Sequence, residues 1–277
     1  MCRLALYSGM VDSAVLRLTV KSFRLSTQFD MILDSFRRGR RSHNHGWGLA
    51  CVAMKFNELF VMHFKTSLPL LSEDYRSLLR AIPRDVWWMH LLLHSRLTSS
   101  EPINVHNTHP FHTSKVGAYS IWLAHNGSVN KQVLAEKLGL LHLVNQYADS
   151  YFITQWLGKT VGEAEPNALL DSLKSLIEMN IVKTALNVIG IVLSESSNHV
   201  FSFALNYVYQ EGQSLAEYYR LYKLLNSEKT SLVVASSTVF KYLNYFAKIS
   251  GEAMDNGEAV ITEVKNGVLE VKSRKIA

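Results

Sequence analysis

The chain begins with the stretch MCRLALY, residues 1–7. The apolar run in this stretch predicts a short buried strand from Arg3 to Tyr7, with Ser8-Gly9 as its exit turn. Cys2 would then lie at the start of a buried strand. A strand of this kind is a rigid support for a nucleophilic side chain.

Cys2 is a candidate nucleophile because it is a small residue that directly follows Met1, so N-terminal processing would leave it with a free α-amine. The ordinary pKa of a cysteine thiol is near ~8.5 and that of an α-amine near ~7.7–8.0, so the amine is matched to the proton it would take. With Met1 attached, the nitrogen of Cys2 is an amide without useful basicity. We therefore expect the active form to begin at Cys2, although a cysteine at this position can also be accidental.

Length and composition predict a globular cytoplasmic protein. The chain has 277 residues, of which 48% are hydrophobic and 19% charged, and no apolar run approaches the ~18 residues of a membrane helix. The N-terminus is a poor signal peptide. Cys2 and Cys51 are too few for a disulfide framework or a thiolate zinc site, which favours a reducing compartment. No Pro/Gly/Ser linker interrupts the chain, so we expect a single domain over residues 1–277.

The basic residues and the histidines raise the question of nucleic-acid or metal binding, but their positions in the sequence support neither. The net charge is +6 and residues 37–41 read RRGRR, but the other basic residues are scattered and no aromatic side chains alternate with them. A solvated loop is favoured, and no nucleic-acid partner is expected. His43 and His45 in one loop, and three histidines in residues 106–112, match no metal-site spacing. We expect no metal and no organic cofactor.

Hydrophobic periodicity predicts both helices and strands, in blocks and without strict alternation. The pattern is typical of an α+β fold in which helices cover packed antiparallel sheets. The predicted helices are 15–23, 29–36, 72–82, 131–138, 150–156 and 168–179. The predicted strands are 3–7, 46–54, 59–63, 87–94, 118–124, 185–193, 200–207, 218–224, 231–236, 259–264 and 268–271.

Polar residues collect where predicted strands end. Arg96 follows the strand 87–94 and is either a structural ion-pair partner or a bidentate binding group for a ligand anion. Asn126 and Gly127 follow the strand 118–124 and supply a side-chain amide and a backbone N–H at a sharp strand exit, as an oxyanion requires. Asn-Gly is also the commonest hairpin turn, so this pair alone decides nothing. Asp149 is a possible N-cap of the next helix.

These motifs have a characteristic order along the chain. They are an N-terminal cysteine, Gly46-Trp47-Gly48, His94-Ser95-Arg96, Asn107-Thr108-His109-Pro110-Phe111, His125-Asn126-Gly127 and Asp149 at a helix start. The order resembles the class II glutamine amidotransferases, the N-terminal nucleophile (Ntn) hydrolases with a cysteine nucleophile, and most of all their stand-alone members that begin Met-Cys-Arg. The resemblance spans roughly residues 2–149, and more loosely 233–236 and 255–257. It implies the Ntn-hydrolase fold, a four-layer αββα sandwich of two mostly antiparallel sheets covered by helices.

The resemblance also implies roles for individual residues. Cys2 would attack the amide, Asn126 and Gly127 would hold the oxyanion, and Arg96 and Asp149 would bind the α-carboxylate and α-ammonium of the substrate. Hydroxyl groups of Ser99 and Ser100 would add substrate contacts. Three further motif residues would either support the site or contact the substrate directly: Trp47, His94 and His109.

Three positions depart from the family pattern. Leu97 stands where an aromatic residue is frequent, and Ser99-Ser100 stand where a threonine and a variable residue are common. His45 replaces the usual aspartate before Gly-Trp-Gly, which leaves the local hydrogen bonding there open.

The function implied is that of a glutaminase that forms a thioester on Cys2 and releases glutamate and ammonia, for transfer to a partner protein or acceptor. One alternative is a stand-alone hydrolase of γ-glutamyl amides or peptides, which needs the same substrate clamp. Another is a non-catalytic binding module that retains the fold.

Overall fold

Two β-sheets packed face to face form the centre of the molecule, and helices cover their outer faces. The computed structural model describes residues 2–36, 39, 42–72, 74, 77, 80, 82, 85–98, 101–116, 118–209, 216–248 and 251–277. The four layers and the predominance of antiparallel pairing confirm the predicted α+β sandwich. Among the described residues, no helix is long and apolar enough to cross a membrane.

Thirteen strands lie within the described part of the chain, and every pair of neighbours is antiparallel. The seven-stranded sheet A has the order β11-β9-β10-β1-β4-β2-β3, and the six-stranded sheet B has the order β13-β12-β8-β7-β6-β5. The bounds are β1 Cys2–Met10, β2 Trp47–Lys55, β3 Glu58–Thr66, β4 Trp88–Arg96, β5 Phe111–Lys115, β6 Tyr119–Val129, β7 Val182–Ser194, β8 Val200–Asn206, β9 Leu221–Leu225, β10 Ser231–Ser236, β11 Glu252–Ala253, β12 Glu258–Lys265 and β13 Val268–Lys275.

Five of the described helices fall into two groups, one for each sheet, and the two shortest, Met31–Phe36 and Ala216–Tyr219, pack together in a separate cluster. The helices are α1 Ser13–Gln28, α2 Met31–Phe36, α3 Lys131–Leu138, α4 Asp149–Thr160, α5 Pro166–Glu178, α6 Ala216–Tyr219 and α7 Ser237–Ala247, with 3₁₀ turns at Leu70–Ser72, Val105–Asn107 and Leu141–Leu143. Helices α1 and α7 pack on sheet A, whereas α3, α4 and α5 pack on sheet B.

Strand β1 shows how the layers are built. Successive side chains of a strand point to opposite faces, and here Leu4 and Leu6 enter the core between the sheets while Ala5 and Tyr7 enter the core under the helices. Burying each leucine contributes roughly 1.5–3 kcal/mol. A slip of the strand by one residue would exchange the two sets between the faces and would disrupt the packing of both cores. The register that fixes the leucines also fixes Cys2.

The predicted end of the first strand is wrong. Ser8 and Gly9 do not form a turn, because β1 continues to Met10 and Gly9 pairs with Met89 on one side and Ser231 on the other. Gly9 has φ +126°, and a Cβ atom there would overlap the backbone of the neighbouring strand. The glycine allows a close approach inside the sheet.

Two other elements differ from the sequence prediction. Helix α7 was not predicted, because its aromatic and β-branched residues favour strands in isolation; packing against α1 decides its conformation. The strand predicted over 218–224 begins instead as the short helix α6 and becomes a strand only at Leu221. Most of the helix predicted over 72–82, and all but residue 39 of the basic cluster 37–41, lie outside the described residues.

Candidate active site

The side chain of Cys2 lines a cavity of about 130 Å³ at the end of strand β1. Its exposed fraction is 8%. The lining residues come from both sheets, from the segment after β4 and from the start of α4: Cys2, Arg96, Leu97, Thr98, Glu101, His109, His125, Gly127, Ser128, Ala148, Asp149 and Ser150. The fold thus brings together residues that are more than a hundred positions apart in the sequence.

Asn126 contacts Cys2 through one side of its amide and leaves the other side free. The backbone nitrogen of Cys2 donates a hydrogen bond to Asn126 Oδ1 at 2.8 Å. The Asn126 side chain is fully buried, and its Nδ2 has no hydrogen-bond partner among the described residues. A buried amide donor normally has a partner. An unused donor beside a candidate nucleophile is the arrangement that an oxyanion site requires.

Gly127 lies on the cavity wall next to Asn126, at a position where only glycine fits. Its φ is +150°, and a Cβ atom there would overlap the carbonyl group of Ala185 on β7. The predicted strand exit is wrong, because β6 continues through Asn126 and Gly127 to Val129 with a register shift between Gly127 and Val129. A bulge of this kind re-aims side chains without ending the strand.

Arg96 is the cross-strand partner of Cys2, since β4 pairs with β1 in that register. Its side chain is buried. Its Nη1 donates to the carbonyl of Pro102 at 2.9 Å, and its Nη2 lies 3.3 Å from Glu101 Oε2. Lys131 Nζ lies 3.7 Å from the other oxygen of Glu101. Arg96 is therefore an ion-pair partner in this structure, and it also faces the cavity.

Glu101 is a cavity residue that the sequence analysis missed. It lines the cavity with Arg96, and its backbone nitrogen donates to Thr98 Oγ1. Its proximity to Arg96 in the sequence was the available signal, but the loop geometry that folds the carboxylate back onto the guanidinium has no sequence motif. Ser99 and Ser100, predicted to contact substrate, lie outside the described residues.

Asp149 begins α4 and lines the same cavity. It is not the N-cap residue, which is Ala148. Its Oδ2 accepts a hydrogen bond from the backbone nitrogen of Val129 at 2.8 Å, and its Oδ1 accepts one from Ser150 N at 2.8 Å. The carboxylate thus ties the helix start to the bulged end of β6, beside Gly127.

His125 is a second cavity residue that was not predicted, although it belongs to the His-Asn-Gly motif. Its Nε2 lies 3.2 Å from the carbonyl oxygen of Ala185 and its Nδ1 lies 3.0 Å from Ser150 Oγ. Burial lowers the pKa of His125. A carbonyl only accepts, so the neutral ring carries its proton on Nε2 and accepts a hydrogen bond from the Ser150 hydroxyl at Nδ1.

The three predicted supporting residues occupy different places. His109 lines the cavity, and its ring lies 3.9 Å from that of His94, centroid to centroid, behind the cavity wall. Burial lowers the pKa of both rings well below the ordinary value, so both are neutral at pH 7. Trp47 is buried against Phe64, with ring centroids 4.9 Å apart, and is not a lining residue.

The segment before Trp47 contacts Thr98, a residue of the cavity wall. His45, which stands where the family pattern has an aspartate, accepts a hydrogen bond at Nδ1 from the backbone nitrogen of Thr98 at 3.1 Å. His43, in the same loop, has a fully buried side chain and does not lie on the surface. Within the described residues, no group of three or more His, Cys, Asp or Glu side chains is placed to hold a metal ion.

Comparison with known proteins identifies one family and a number of similar solved structures. The family model described as "Glutamine amidotransferases class-II" matches residues 17–223, a range that includes Arg96, Asn126 and Asp149 and starts after Cys2. No curated protein matches the chain.

Two of these solved structures are each 16% identical to the chain. One is glutamine phosphoribosylpyrophosphate amidotransferase from B. subtilis complexed with ADP and GMP (TM-score 0.57, covering 100% of this chain and 49% of that chain). The other is described as the allosteric regulatory enzyme of purine biosynthesis (TM-score 0.58, covering 99% and 49%). The chain spans about half the length of these structures, and likeness at this identity shows the fold alone.

Proposed function

Because this chain belongs to the class II glutamine amidotransferases, we propose that it hydrolyses the side-chain amide of glutamine through a thioester on Cys2, releasing glutamate and ammonia. The observation that carries the proposal is the orientation of Asn126. One side of its amide accepts the hydrogen bond from Cys2 N, and the buried Nδ2 on the other side has no partner among the described residues. An oxyanion formed next to Cys2 would supply that partner.

The first half of the reaction forms the thioester. The α-amine of processed Cys2 takes the thiol proton, and Sγ bonds to the amide carbon while the carbonyl electrons move onto oxygen. Asn126 Nδ2 and the Gly127 N–H would hold the resulting oxyanion. The amine then passes its proton to the leaving nitrogen, the C–N bond breaks and ammonia leaves.

The second half releases the acid. Water attacks the thioester carbon, the same α-amine takes the water proton, and the same two donors hold the second oxyanion. Collapse breaks the C–S bond, returns the proton to Sγ and frees glutamate. No group beyond those around Cys2 is needed for proton transfer.

Substrate orientation is assigned to the two charged residues of the cavity. Arg96 would bind the α-carboxylate, which would take the position next to Nη2 that Glu101 Oε2 now occupies 3.3 Å away. Asp149 would receive the α-ammonium at Oδ2, which accepts one hydrogen bond, from the Val129 amide, and has a second lone pair for the substrate. Hydroxyls of Ser99 and Ser100 would add contacts to the same end of the substrate.

The ammonia is proposed to pass to a partner protein or acceptor, and residues 1–277 are proposed to act as one cytoplasmic domain. Hydrolysis of γ-glutamyl amides would use the same two charged residues and differs only at the leaving group. Initial rates on glutamine and on a panel of γ-glutamyl amides decide between them. Clear preference for free glutamine would exclude the γ-glutamyl hydrolase, and the reverse would exclude the glutaminase.

The proposal is tested by two measurements on purified protein. Intact mass should show that Met1 is absent, and a reactive diazoketone analogue of glutamine should add covalently to Cys2 but not to Cys51. Glutamate release from glutamine should accompany the adduct. Processed protein that forms no adduct and releases no glutamate would leave the non-catalytic binding module as the function of this fold.

A further inference from the structure

The proposed reaction gives no role to Arg3, although it directly follows the nucleophile. Strand alternation turns its side chain to the face opposite Cys2, where it is fully buried. Its Nε lies 3.1 Å from Asp30 Oδ2, and its Nη1 donates to Thr238 Oγ1 at 3.2 Å. The guanidinium carbon lies 4.1 Å from the ring centroid of Tyr218. A buried cation is thus fixed one residue from Cys2.

Asp30 is the centre of this buried cluster and is itself fully buried. Its Oδ1 accepts hydrogen bonds from Thr238 Oγ1 at 2.6 Å and from the backbone nitrogen of Leu33 at 3.0 Å. Its Oδ2 lies 2.7 Å from His43 Nε2. Burial alone would raise the pKa of Asp30, but the charge of Arg3 and the hydrogen bond from His43 hold it well below its usual range. The carboxylate therefore stays ionised.

A second line of contacts leads from His43 to the substrate-binding arginine. The carbonyl oxygen of His43 accepts a hydrogen bond from Ser95 Oγ at 2.8 Å. Two residues further on, His45 N donates to the carbonyl of Arg96 at 3.0 Å, and Arg96 N donates to the carbonyl of Gly46 at 2.9 Å. The segment that the central carboxylate holds is thus paired with the backbone of Arg96.

We propose that Asp30 is a positioning residue for the reaction, an inference that rests on the proposed function. Through Arg3 it fixes the backbone next to Cys2, and through His43 it fixes the segment that pairs with Arg96. Chain ends fray unless they are tied down, and the processed enzyme begins at its nucleophile. A misplacement of ~1 Å can cost about 10²-fold in rate, so one carboxylate keeps the nucleophile and the carboxylate-binding site in register.

The sharpest test is a substitution that loosens the cluster without leaving a charge unpaired. Asp30→Asn would leave Arg3 buried without a counter-ion and would endanger folding. Thr238→Val keeps the shape of the side chain but removes the hydroxyl that accepts from Arg3 and donates to Asp30. It leaves the contact from Leu33 N to the carboxylate in place.

Thr262→Val is the matched control. Thr262 is also buried, and its hydroxyl is hydrogen-bonded to Ser202 Oγ. Ser202 Oγ lies 2.6 Å from Ser8 Oγ, which is on the same strand β1 at the end remote from Cys2. Each variant therefore removes one buried threonine hydroxyl. The two hydrogen-bond networks that lose it contact the same strand, β1, one near Cys2 and the other at the remote end.

The measurements distinguish the alignment of Cys2 with a bound substrate from the general reactivity of its thiol. Labelling of Cys2 by the diazoketone glutamine analogue and by iodoacetamide is followed by peptide mass spectrometry, together with kcat and KM for glutamate release and the melting temperature. We expect Thr238→Val to slow labelling by the analogue and to lower kcat/KM by about tenfold or more, while iodoacetamide labelling is retained. Thr262→Val should leave both labelling rates at the wild-type value.

Two results would overturn the inference. Equal losses in the two variants, with a wild type that releases glutamate, would mean that the cluster only stabilises the fold, and the proposed function would stand. A wild type that neither releases glutamate nor reacts with the analogue at Cys2 would overturn the proposed function and this inference with it.

Discussion

The two cysteines of the chain lie in the same sheet, with one strand between them, but in different surroundings. Cys51 is in the middle of β2, pairs with Leu91 and Met62, and is fully buried in the core under the helices. Burial raises the pKa of its thiol to about 12. Cys2 stands at the end of β1 and lines a cavity. A thiol in this sheet is thus available for chemistry only where the strand ends.

The polar groups around Cys2 explain why that end differs. Arg96 is its cross-strand partner in sheet A, and Asn126 reaches it from sheet B. Around Cys51 the core is made of aliphatic and aromatic side chains. Polar groups of both sheets surround Cys2 at the strand end, whereas the faces between the sheets are mainly apolar, as their packing requires. The position along the strand thus decides both how deeply a cysteine is buried and which polar groups surround it.

The largest expected effect is the loss of turnover on changing Cys2. Cys2→Ala removes the nucleophile and should lower kcat by about 10⁴–10⁶-fold, as removal of a catalytic nucleophile does in other hydrolases. Glutamate release from glutamine measures this loss, and the thermal unfolding midpoint checks that the fold is retained. Residual activity within about tenfold of wild type would show that another group carries the reaction.

The second-largest effect is expected for Asn126, the amide donor beside Cys2. Asn126→Ala should lower kcat by about 10²–10³-fold, the usual cost of one oxyanion donor. Asn126→Asp keeps an acceptor for the Cys2 nitrogen but has no N–H donor, so we expect a comparable loss. If the aspartate variant kept wild-type kcat, Asn126 would only hold the N-terminus and the oxyanion assignment would be wrong.

The third effect concerns the charged residues of the cavity. Arg96→Ala should raise KM for glutamine by about 10²-fold, and Asp149→Asn by about tenfold, since a hydrogen bond between charged groups contributes roughly 1.5–3 kcal/mol. Arg96→Lys is the control that keeps the charge but loses the bidentate geometry. Steady-state KM and kcat measure the effect. Unchanged KM in both Arg96→Ala and Asp149→Asn would refute the assignment of the clamp.

The parts of the structure that could be predicted from the sequence are those with a local signal, such as an apolar run or a short motif. The layered fold, and strands such as β4 and β7, could be predicted because short continuous apolar runs of strand length are typical of strands buried on both faces. Cys2, Arg96, Gly127 and Asp149 were predicted from motifs, and they line one cavity together. Their motifs are local in sequence, whereas the cavity is made by the register of distant strands.

What the sequence could not predict depends on tertiary contacts. Glu101 belongs to no motif, and the His-Asn-Gly motif alone gives His125 no role at the cavity. Asp30 is an ordinary helix-capping residue until Arg3 and His43 are folded onto it. Helix α7 contradicts its own residue propensities because α1 covers it. In each case the deciding partner is distant in the sequence.

The fourth prediction concerns the pH dependence of stability that the buried His43 confers. Burial, followed by the charge of Arg3, lowers the pKa of His43 to about 4, although the contact with Asp30 opposes the shift. The unfolded chain binds this proton below pH ~6.5 and the folded protein only near pH 4, so the free energy of unfolding falls as the pH falls through that window, by up to about 1.4 kcal/mol per pH unit.

Denaturant titrations between pH 7 and 4 measure this dependence. His43→Gln should reduce the slope, and His142→Gln, at an exposed position, is the control for the substitution itself. Equal slopes in wild type and His43→Gln would show that His43 does not stay neutral in the folded protein.

The smallest effect is expected at the other cysteine. Cys51→Ala should leave kcat and KM unchanged and lower the free energy of unfolding by about 1 kcal/mol, the cost of removing one small buried group. A thiol reagent attacks the thiolate and needs access, so Cys51 should be labelled at pH 8 only after denaturation, whereas Cys2 is labelled in the folded protein. Labelling of both at equal rates in the native state would show that the strand middle and the strand end are equally open, and the contrast between the two cysteines would be lost.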